Sequence, residues 1–430
     1  MIAETIFAPL TGVGRAAVTV MRLSGPDCGR ILRSMAGRLP APRHAALVNL
    51  RTQTGALLDR GMVLWFPAPA SFTGEDCAEL HLHGGRAVLN AASLALVAYG
   101  ARPAEPGEFS RRAFFNGKLD LLQAEGIADL IDAESEAQRR QALDHVAGAL
   151  SARCAEWRLE LRRLMAIQEA LIDFSDEDVP ESAGDEIGYG IDRLRAEMDR
   201  AIADGAKAEL VREGLSFAVL GAPNAGKSTL VNALAGSDIA IVSAMPGTTR
   251  DIVECRIILA GVPVRLSDTA GLRETDEPIE AEGIARARQR GREADLVIYV
   301  AAAPDCAWPA SETGGKILKL ATKSDLGGVQ GADLAVSALT NEGMDLLRER
   351  LGEIAAELTD HAGSATAARP RQLACLRDVA TALEQARGAQ AAELRAEDLR
   401  MAANALARMV GSIGVEEVLG EIFSSFCIGK

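Results

Sequence analysis

Gly221-Ala222-Pro223-Asn224-Ala225-Gly226-Lys227-Ser228 sits in the middle of a 430-residue chain, behind the strand-like run Leu215 to Leu220 and ahead of a helical start at Thr229, Leu230 and Val231. The stretch fits G-x-x-x-x-G-K-[ST]. Its glycines let backbone N–H groups wrap phosphates, the helix N-terminus adds positive potential, Lys227 bridges phosphate oxygens and Ser228 ligates magnesium. The competing reading is a glycine-rich turn without a ligand. A strand before the stretch and a helix after it weigh against that reading.

Working outward, strand-like runs at Ile252 to Leu259, Pro263 to Leu266, Leu296 to Val300, Ile317 to Ala321 and Leu334 to Val336 predict an α/β sheet. Their ends carry the remaining chemistry. Asp268-Thr269-Ala270-Gly271 follows a strand, where Asp268 can hold magnesium through water and Gly271 can give its N–H to the terminal phosphate. Thr249, in Gly247-Thr248-Thr249-Arg250, completes the magnesium shell of a switch loop. Thr322-Lys323-Ser324-Asp325 ends another strand; Asp325 accepts from the two donors of guanine's edge, and Lys323 lays its stem on the base. Ser337-Ala338-Leu339 offers a backbone donor to the guanine oxygen. The nucleotide is therefore expected to be GTP. Its expected contacts are Asn224, Ala225, Gly226, Lys227, Ser228, Thr229, Ser243, Ala244, Met245, Pro246, Gly247, Thr248 and Thr249, with Asp268, Thr269, Ala270, Gly271, Thr322, Lys323, Asp325, Ser337 and Ala338.

Two departures stand out. Thr322 occupies the place of the Asn in N-K-x-D, and a hydroxyl makes only part of an amide's hydrogen bonds. At about 0.5 to 1.5 kcal/mol for one neutral hydrogen bond, guanine affinity is expected to drop roughly tenfold at most. Leu272, and no glutamine, follows Gly271, so the water-orienting group must come from elsewhere.

Composition bounds the rest. The length suggests about three domains, no apolar run approaches a membrane span, and the start lacks a signal-peptide pattern, so a cytoplasmic protein with no membrane association is expected. The seven cysteines form no C-x-x-C pair and read as reduced, mostly buried thiols. A net charge of −14 argues against a whole-surface nucleic-acid binder. Residues 1–118 nevertheless carry 13 Lys plus Arg against 8 Asp plus Glu, which makes this part the better anion binder unless surface charge merely fell this way.

Short strand-like runs at Ala17 to Leu23, Gly61 to Phe66 and Ala78 to Leu82, with a helix near Val88 to Val97, predict an N-terminal α+β domain over 1–118. Helical stripes through Leu143, Val146 and Leu150, then Trp157, Leu161 and Leu164, open an all-α helical domain at 119–212. It is interrupted by an acidic loop from Ser175 to Gly190. The α/β P-loop domain covers 213–357. After a linker from Leu358 to Arg369, residues 358–430 resume the helical domain, so the α/β domain is expected as an insert.

Taken together, these pieces resemble the bacterial tRNA uridine-modification GTPase family, MnmE/TrmE. The likeness rests on Gly14-Arg15, Met21-Arg22-Leu23-Ser24-Gly25, Phe72-Thr73-Gly74-Glu75-Asp76, His83-Gly84-Gly85 and Pro106-Gly107-Glu108-Phe109. It extends through Asn116-Gly117-Lys118-Leu119-Asp120 and Gln123-Ala124-Glu125 to Phe426-Cys427-Ile428-Gly429-Lys430. The resemblance implies a tetrahydrofolate derivative, methylene- or formyl-tetrahydrofolate, held by Arg22, Glu79, Lys118 and Lys430. It implies potassium, K+, at Asn224, Ser243, Met245 and Thr248, beside magnesium, Mg2+, at Ser228 and Thr249. Glu280 would orient water. Cys427 is either an active thiol, a packed cysteine or a poorly matching prenylation signal. His81 and His83 read as strand or loop positions, not as a metal site.

The function so implied is a homodimeric, potassium-dependent GTPase. It would act with a flavin-dependent partner of the MnmG/GidA family to add an aminomethyl or carboxymethylaminomethyl group to the wobble uridine of certain tRNAs. The rival is a non-catalytic GTP switch in ribosome assembly. That switch calls for a basic RNA-binding module after the GTP domain, and residues 358–430 show none.

Overall fold

The computed structural model describes residues 4–12, 14–173, 182–236, 254–268, 291–304, 306, 308, 316–327, 330–360, 366–413, 416–424, 426 and 429. Two compact units result. One contains residues 1–128, 146–155 and 403–430, and the other residues 129–145 and 156–402.

The first unit opens with β1 (Ile6–Pro9), β2 (Val18–Ser24), α1 (Cys28–Ala36), β3 (Ala46–Arg51), β4 (Leu57–Phe66), β5 (Cys77–His83), α2 (Arg86–Ala98), β6 (Arg102–Pro103) and α3 (Glu108–Phe115). Its sheet runs β3-β4-β5-β2-β1-β6 and is antiparallel except for the β1–β6 pair. Alternation places Met21, Leu23, Val48, Leu50, Val63, Leu80 and Leu82 on one face, in a core with Ile31 and Leu32 of α1 and Ala92 and Leu96 of α2. The other face is covered at β1, where Ile6 and Ala8 are buried with Phe109 of α3 and Phe72, and is open toward β3 and β4: Leu47, Met62, His81 and Val20 form one cross-strand row, with Leu47 57% and Met62 45% exposed.

Helices follow as α4 (Leu121–Asp132), α5 (Glu136–Val146), α6 (Ala149–Asp173) and α7 (Ser182–Glu213). Of the loop expected at Ser175 to Gly190, residues from Ser182 on belong to α7, and 175–181 lie outside the described residues. One of the helix's glycines serves packing: a Cβ on Gly190 would meet Leu164 Cδ2 at 2.5 Å, so a larger residue there would push the Leu164 side chain of α6 aside, while Gly184 faces open space.

Next come β7 (Leu215–Gly221), α8 (Lys227–Ala235), β8 (Glu254–Leu259), β9 (Val262–Asp268), β10 (Leu296–Ala302), β11 (Lys316–Thr322), β12 (Leu334–Ala335) and α9 (Met344–Thr359). The sheet order is β12-β11-β10-β7-β9-β8, parallel throughout except at the β8–β9 hairpin. Phe217, Val219, Ile298, Val300 and Leu320 pack with Leu230 and Leu234 of α8 and Leu347, Leu351 and Ile354 of α9. The chain closes with α10 (Pro370–Gly388), α11 (Ala392–Val410) and α12 (Glu416–Ser424).

Helix α10 packs along α7, and the whole parallel sheet lies between them in sequence. The stretch expected as a linker is anchored on its second half. Thr366, Ala367 and Ala368 are buried, the Thr366 carbonyl accepts from His145 Nε2 at 2.8 Å, and the Ala368 carbonyl accepts from Arg212 Nε at 2.8 Å. Small residues suit this position because backbone, and not side chains, makes the contacts. Among the described residues, no helix is long and apolar enough to cross a membrane.

Candidate functional site

The phosphate loop occupies the C-terminal edge of the parallel sheet, where α/β folds bind ligands. Gly221 closes β7 at φ 154°, and a Cβ there would lie 2.1 Å from the Val300 carbonyl oxygen, so the turn out of the sheet admits only glycine. Asn224 (φ 59°) and Gly226 (φ 85°) take left-handed conformations that curl the backbone, and α8 starts at Lys227 with its N–H groups facing the loop. Lys227 is buried, and its Nζ donates to the carbonyls of Gly221 at 3.0 Å and Ala222 at 2.8 Å. Ser228 and Thr229 are exposed on the first turn.

The segment from Thr322 to Asp325, expected to read the base, reaches the same loop. Thr322 is buried at the end of β11, and its hydroxyl donates to the Ala225 carbonyl at 2.6 Å. Lys323 stands at φ 55°, and its ammonium donates to the Asn224 carbonyl at 3.2 Å. Thr322 thus braces the phosphate loop through one hydroxyl. Asp325 is exposed on the 3-10 turn Ser324–Leu326. Ser324 N–H donates to the Val336 carbonyl at 3.2 Å, which sets Ser337 and Ala338 beside that turn. Ser337 is buried, its Oγ accepting from Thr340 N–H, while Ala338 is half-buried. Asp268 closes β9 opposite Val219 of β7. Ser243, Ala244, Met245, Pro246, Gly247, Thr248, Thr249, Thr269, Ala270, Gly271 and Glu280 lie outside the described residues.

Of the second group of expected residues, Arg22 and Glu79 lie on the face of the first sheet opposite α1 and α2. Arg22 of β2 and Glu79 of β5 are cross-strand neighbours, joined at 2.9 Å with side chains 19% and 20% exposed. Phe72 lies beneath the guanidinium, 4.8 Å from ring centre to Cζ, a contact that sequence reasoning missed. Lys118 runs beside Gly74, where a Cβ would sit 3.2 Å from Lys118 Cγ. Lys430 and Cys427 lie outside the described residues. His81 and His83 are on β5, and among the described residues no cluster of His, Cys, Asp and Glu could hold a metal. Burial pushes the Cys28 and Cys255 thiols up, which keeps both protonated.

Motif residues beside this face form a buried polar network. Glu108 is 2% exposed and accepts from Arg102 at 2.7 and 2.8 Å, from Arg112 at 2.9 Å and from the Glu105 N–H. Burial would raise its pKa, but the hydrogen bonds from Arg102, Glu105 N–H and Arg112 outweigh it and hold the carboxyl at about 2. Arg112 also grips Glu75, whose carboxylate accepts from the Ser24 hydroxyl at 2.7 Å. Much of this hub is local: Arg112 is the i,i+4 neighbour of Glu108 on α3, and Glu105 and Arg102 lie three and six residues before it, while Glu75 and Ser24 join from distant parts of the chain.

A family model described as the MnmE helical domain matches residues 121–427, and one described as the GTP-binding protein TrmE N-terminus matches residues 5–118. The chain is similar to the "tRNA modification GTPase MnmE" of Acidiphilium cryptum, 57% identical over 99% of both chains. It is also similar to that of Granulibacter bethesdensis, 51% identical over 99% of both. Among solved structures, the G domain of the T. maritima FeoB iron transporter aligns at 26% identity and a TM-score of 0.26, covering 33% of this chain and 98% of that one. An N-terminal α+β domain, a helical domain and a P-loop α/β domain in one chain, with those matches along its length, place it in the MnmE family of tRNA modification GTPases, and it is a GTP hydrolase.

Proposed function

We propose that the chain is a potassium-dependent GTPase that adds an aminomethyl or carboxymethylaminomethyl group to the wobble uridine of certain tRNAs, using a tetrahydrofolate one-carbon unit and a flavin-dependent partner. The observation that carries this reading is the Arg22–Glu79 pair, half-buried on an open sheet face in a chain that also holds a GTPase site. When bound, magnesium and potassium neutralise developing phosphate charge and tetrahydrofolate supplies the carbon.

The residues fit these groups. The Asn224 side chain and Ser228 hydroxyl offer the hard oxygen donors that both cations prefer, on the exposed rim of the loop. Lys227 and the N–H groups of α8 hold the phosphates. Thr322 and Lys323 fix the loop while Asp325 reads the base. Glu79 can accept from the donors of a pterin ring, and Arg22 and Lys118, with Lys430, suit the glutamate tail of folate. Ser243, Met245, Thr248 and Thr249 are proposed as further cation ligands, Glu280 as the group that orients water, and Cys427 as a thiol near the carbon transfer. The row of exposed Leu47 and Met62 with half-buried Val20 favours a homodimer, since a second copy would cover it. The site of action is proposed to be the cytoplasm, with residues 1–118, 119–212, 213–357 and 358–430 as its domains.

Mass spectrometry of wobble nucleosides tests the reading. Cells lacking the protein should lose the uridine substituent and regain it on re-expression; an unchanged nucleoside profile refutes it.

A further inference from the structure

We propose that the elbow between α4 and α5, residues 129–141, passes the state of the nucleotide site to the helical segment through Arg256 of β8. Arg256 Nη1 bonds Glu134 Oε1 at 3.0 Å. Strand β8 is the edge of the parallel sheet and forms a hairpin with β9, which ends at Asp268, so Arg256 and a residue of the expected phosphate site share one rigid ribbon. Arg256 stands directly opposite Arg265 in that hairpin, a like-charge pair that Glu134 relieves.

The same elbow grips both chain crossings between helices and sheet. Gln138 accepts from Glu134 N–H at 2.8 Å and donates to the Arg212 carbonyl at 2.9 Å, while Gln141 donates to the Ala208 carbonyl at 3.0 Å. These carbonyls end α7, which runs through Gly214 into β7 and the phosphate loop. On the returning crossing, Arg369 pairs with Asp129 at 2.7 Å. Between the two crossings lies a polar cavity of about 120 Å³ lined by Asp129, Asp132, Gln138, Gln141, Arg212 and Arg369.

The joint is built of polar contacts, and its outermost pair is 45% and 29% exposed. Partly exposed ion pairs are individually weak, so this grip can be made and broken at little cost, unlike the apolar packing inside the sheet. A contact of this kind suits reversible coupling. Coupling is reciprocal: a nucleotide that shifts the hairpin changes the grip, and the grip changes nucleotide affinity by the same factor.

The inference rests on the GTP site and is independent of the one-carbon chemistry. Its test is hydrogen exchange on the full chain with GDP and with a non-hydrolysable GTP analogue, alongside a titration of both nucleotides. Amides of 129–141 should exchange at rates differing about two- to fivefold between the nucleotides, the range a partly exposed pair sustains. The difference should collapse in Glu134→Ala and in Arg256→Ala, with an equal change in the ratio of the two affinities. It should return when Glu134→Arg and Arg256→Glu are combined. Equal exchange with either nucleotide, or a difference that survives both single variants, overturns the proposal. A wild-type chain that binds neither nucleotide would instead refute the GTP site, and the inference with it.

Discussion

In the parallel sheet, β10 is buried along nearly its whole length, and the polar groups collect where the strands end, at Lys227, Thr322 and Lys323. In the N-terminal sheet, α1 and α2 cover one face, and on the other the polar pair Arg22–Glu79 sits midway along the strands, between the part closed by Phe72 and Phe109 and the exposed part at β3 and β4. The difference follows from strand direction. Parallel strands need crossovers that bury both faces, so chemistry moves to the loops; antiparallel strands joined by short turns can leave a face for a ligand. On the function proposed above, one chain would hold a site fixed by backbone and a site fixed by side-chain register.

The sharpest way to break this contrast is Lys227→Ala. Removing the cation at the strand ends should lower GTP hydrolysis by about a thousandfold in a phosphate-release assay, in line with losing one preorganised transition-state donor. Activity within tenfold of wild type would move the site elsewhere.

Glu108→Gln tests the support under the open face. Replacing one partner of a buried pair typically costs about 3 kcal/mol, which should appear as lost exchange protection in β1 and α3 at pH 7. The sign follows from the depressed pKa of about 2 against an ordinary value of 4.5. The carboxylate's stabilisation is complete above pH 4.5 and lost as pH falls through about 2, so wild type and variant should converge toward pH 2. A gap that widens in acid contradicts the charged hub.

Arg22→Ala should weaken folate binding by roughly thirtyfold in calorimetry, the scale of one hydrogen bond to a charged group. Unaltered affinity would remove the open face as the ligand site. The smallest change expected comes from Thr322→Asn, which restores the second hydrogen-bonding arm to the loop and should raise GDP affinity by at most about tenfold. A loss of affinity would mean that the hydroxyl's 2.6 Å bond to Ala225 is the better brace in this chain.

Much of the P-loop sheet was readable from sequence, because each strand is a short apolar run ended by a motif. Strand β10 was expected at Leu296 to Val300 and runs to Ala302. In the N-terminal unit the reading missed β1, β3 and β6. Strand β1 is four residues ending in Pro9, β6 is two, and in β3 the half-exposed alternation of Leu47, Val48, Asn49 and Leu50 gives a weak signal. The start of α7 was misplaced because Gly184, Gly188 and Gly190 look like loop residues, and only Gly190 shows a packing reason, Leu164, once the helices are in place. Among expected site residues, Lys227 came from the phosphate-loop motif, and Arg22 and Glu79 from the family resemblance alone. Their partners Phe72, Gly221 and Ala222 were not readable, since three-dimensional closure brings them together.

The buried crossing at Thr366 to Ala368 bears on how separable the parts are. The P-loop sheet is no bead on a string: a chain with that sheet excised would leave the His145 imidazole and the Arg212 guanidinium facing a seam whose carbonyls had lost their fixed register. The helical segment has grown around its guest, and an exchange of one GTPase sheet for another would have to carry this three-residue seam along with it.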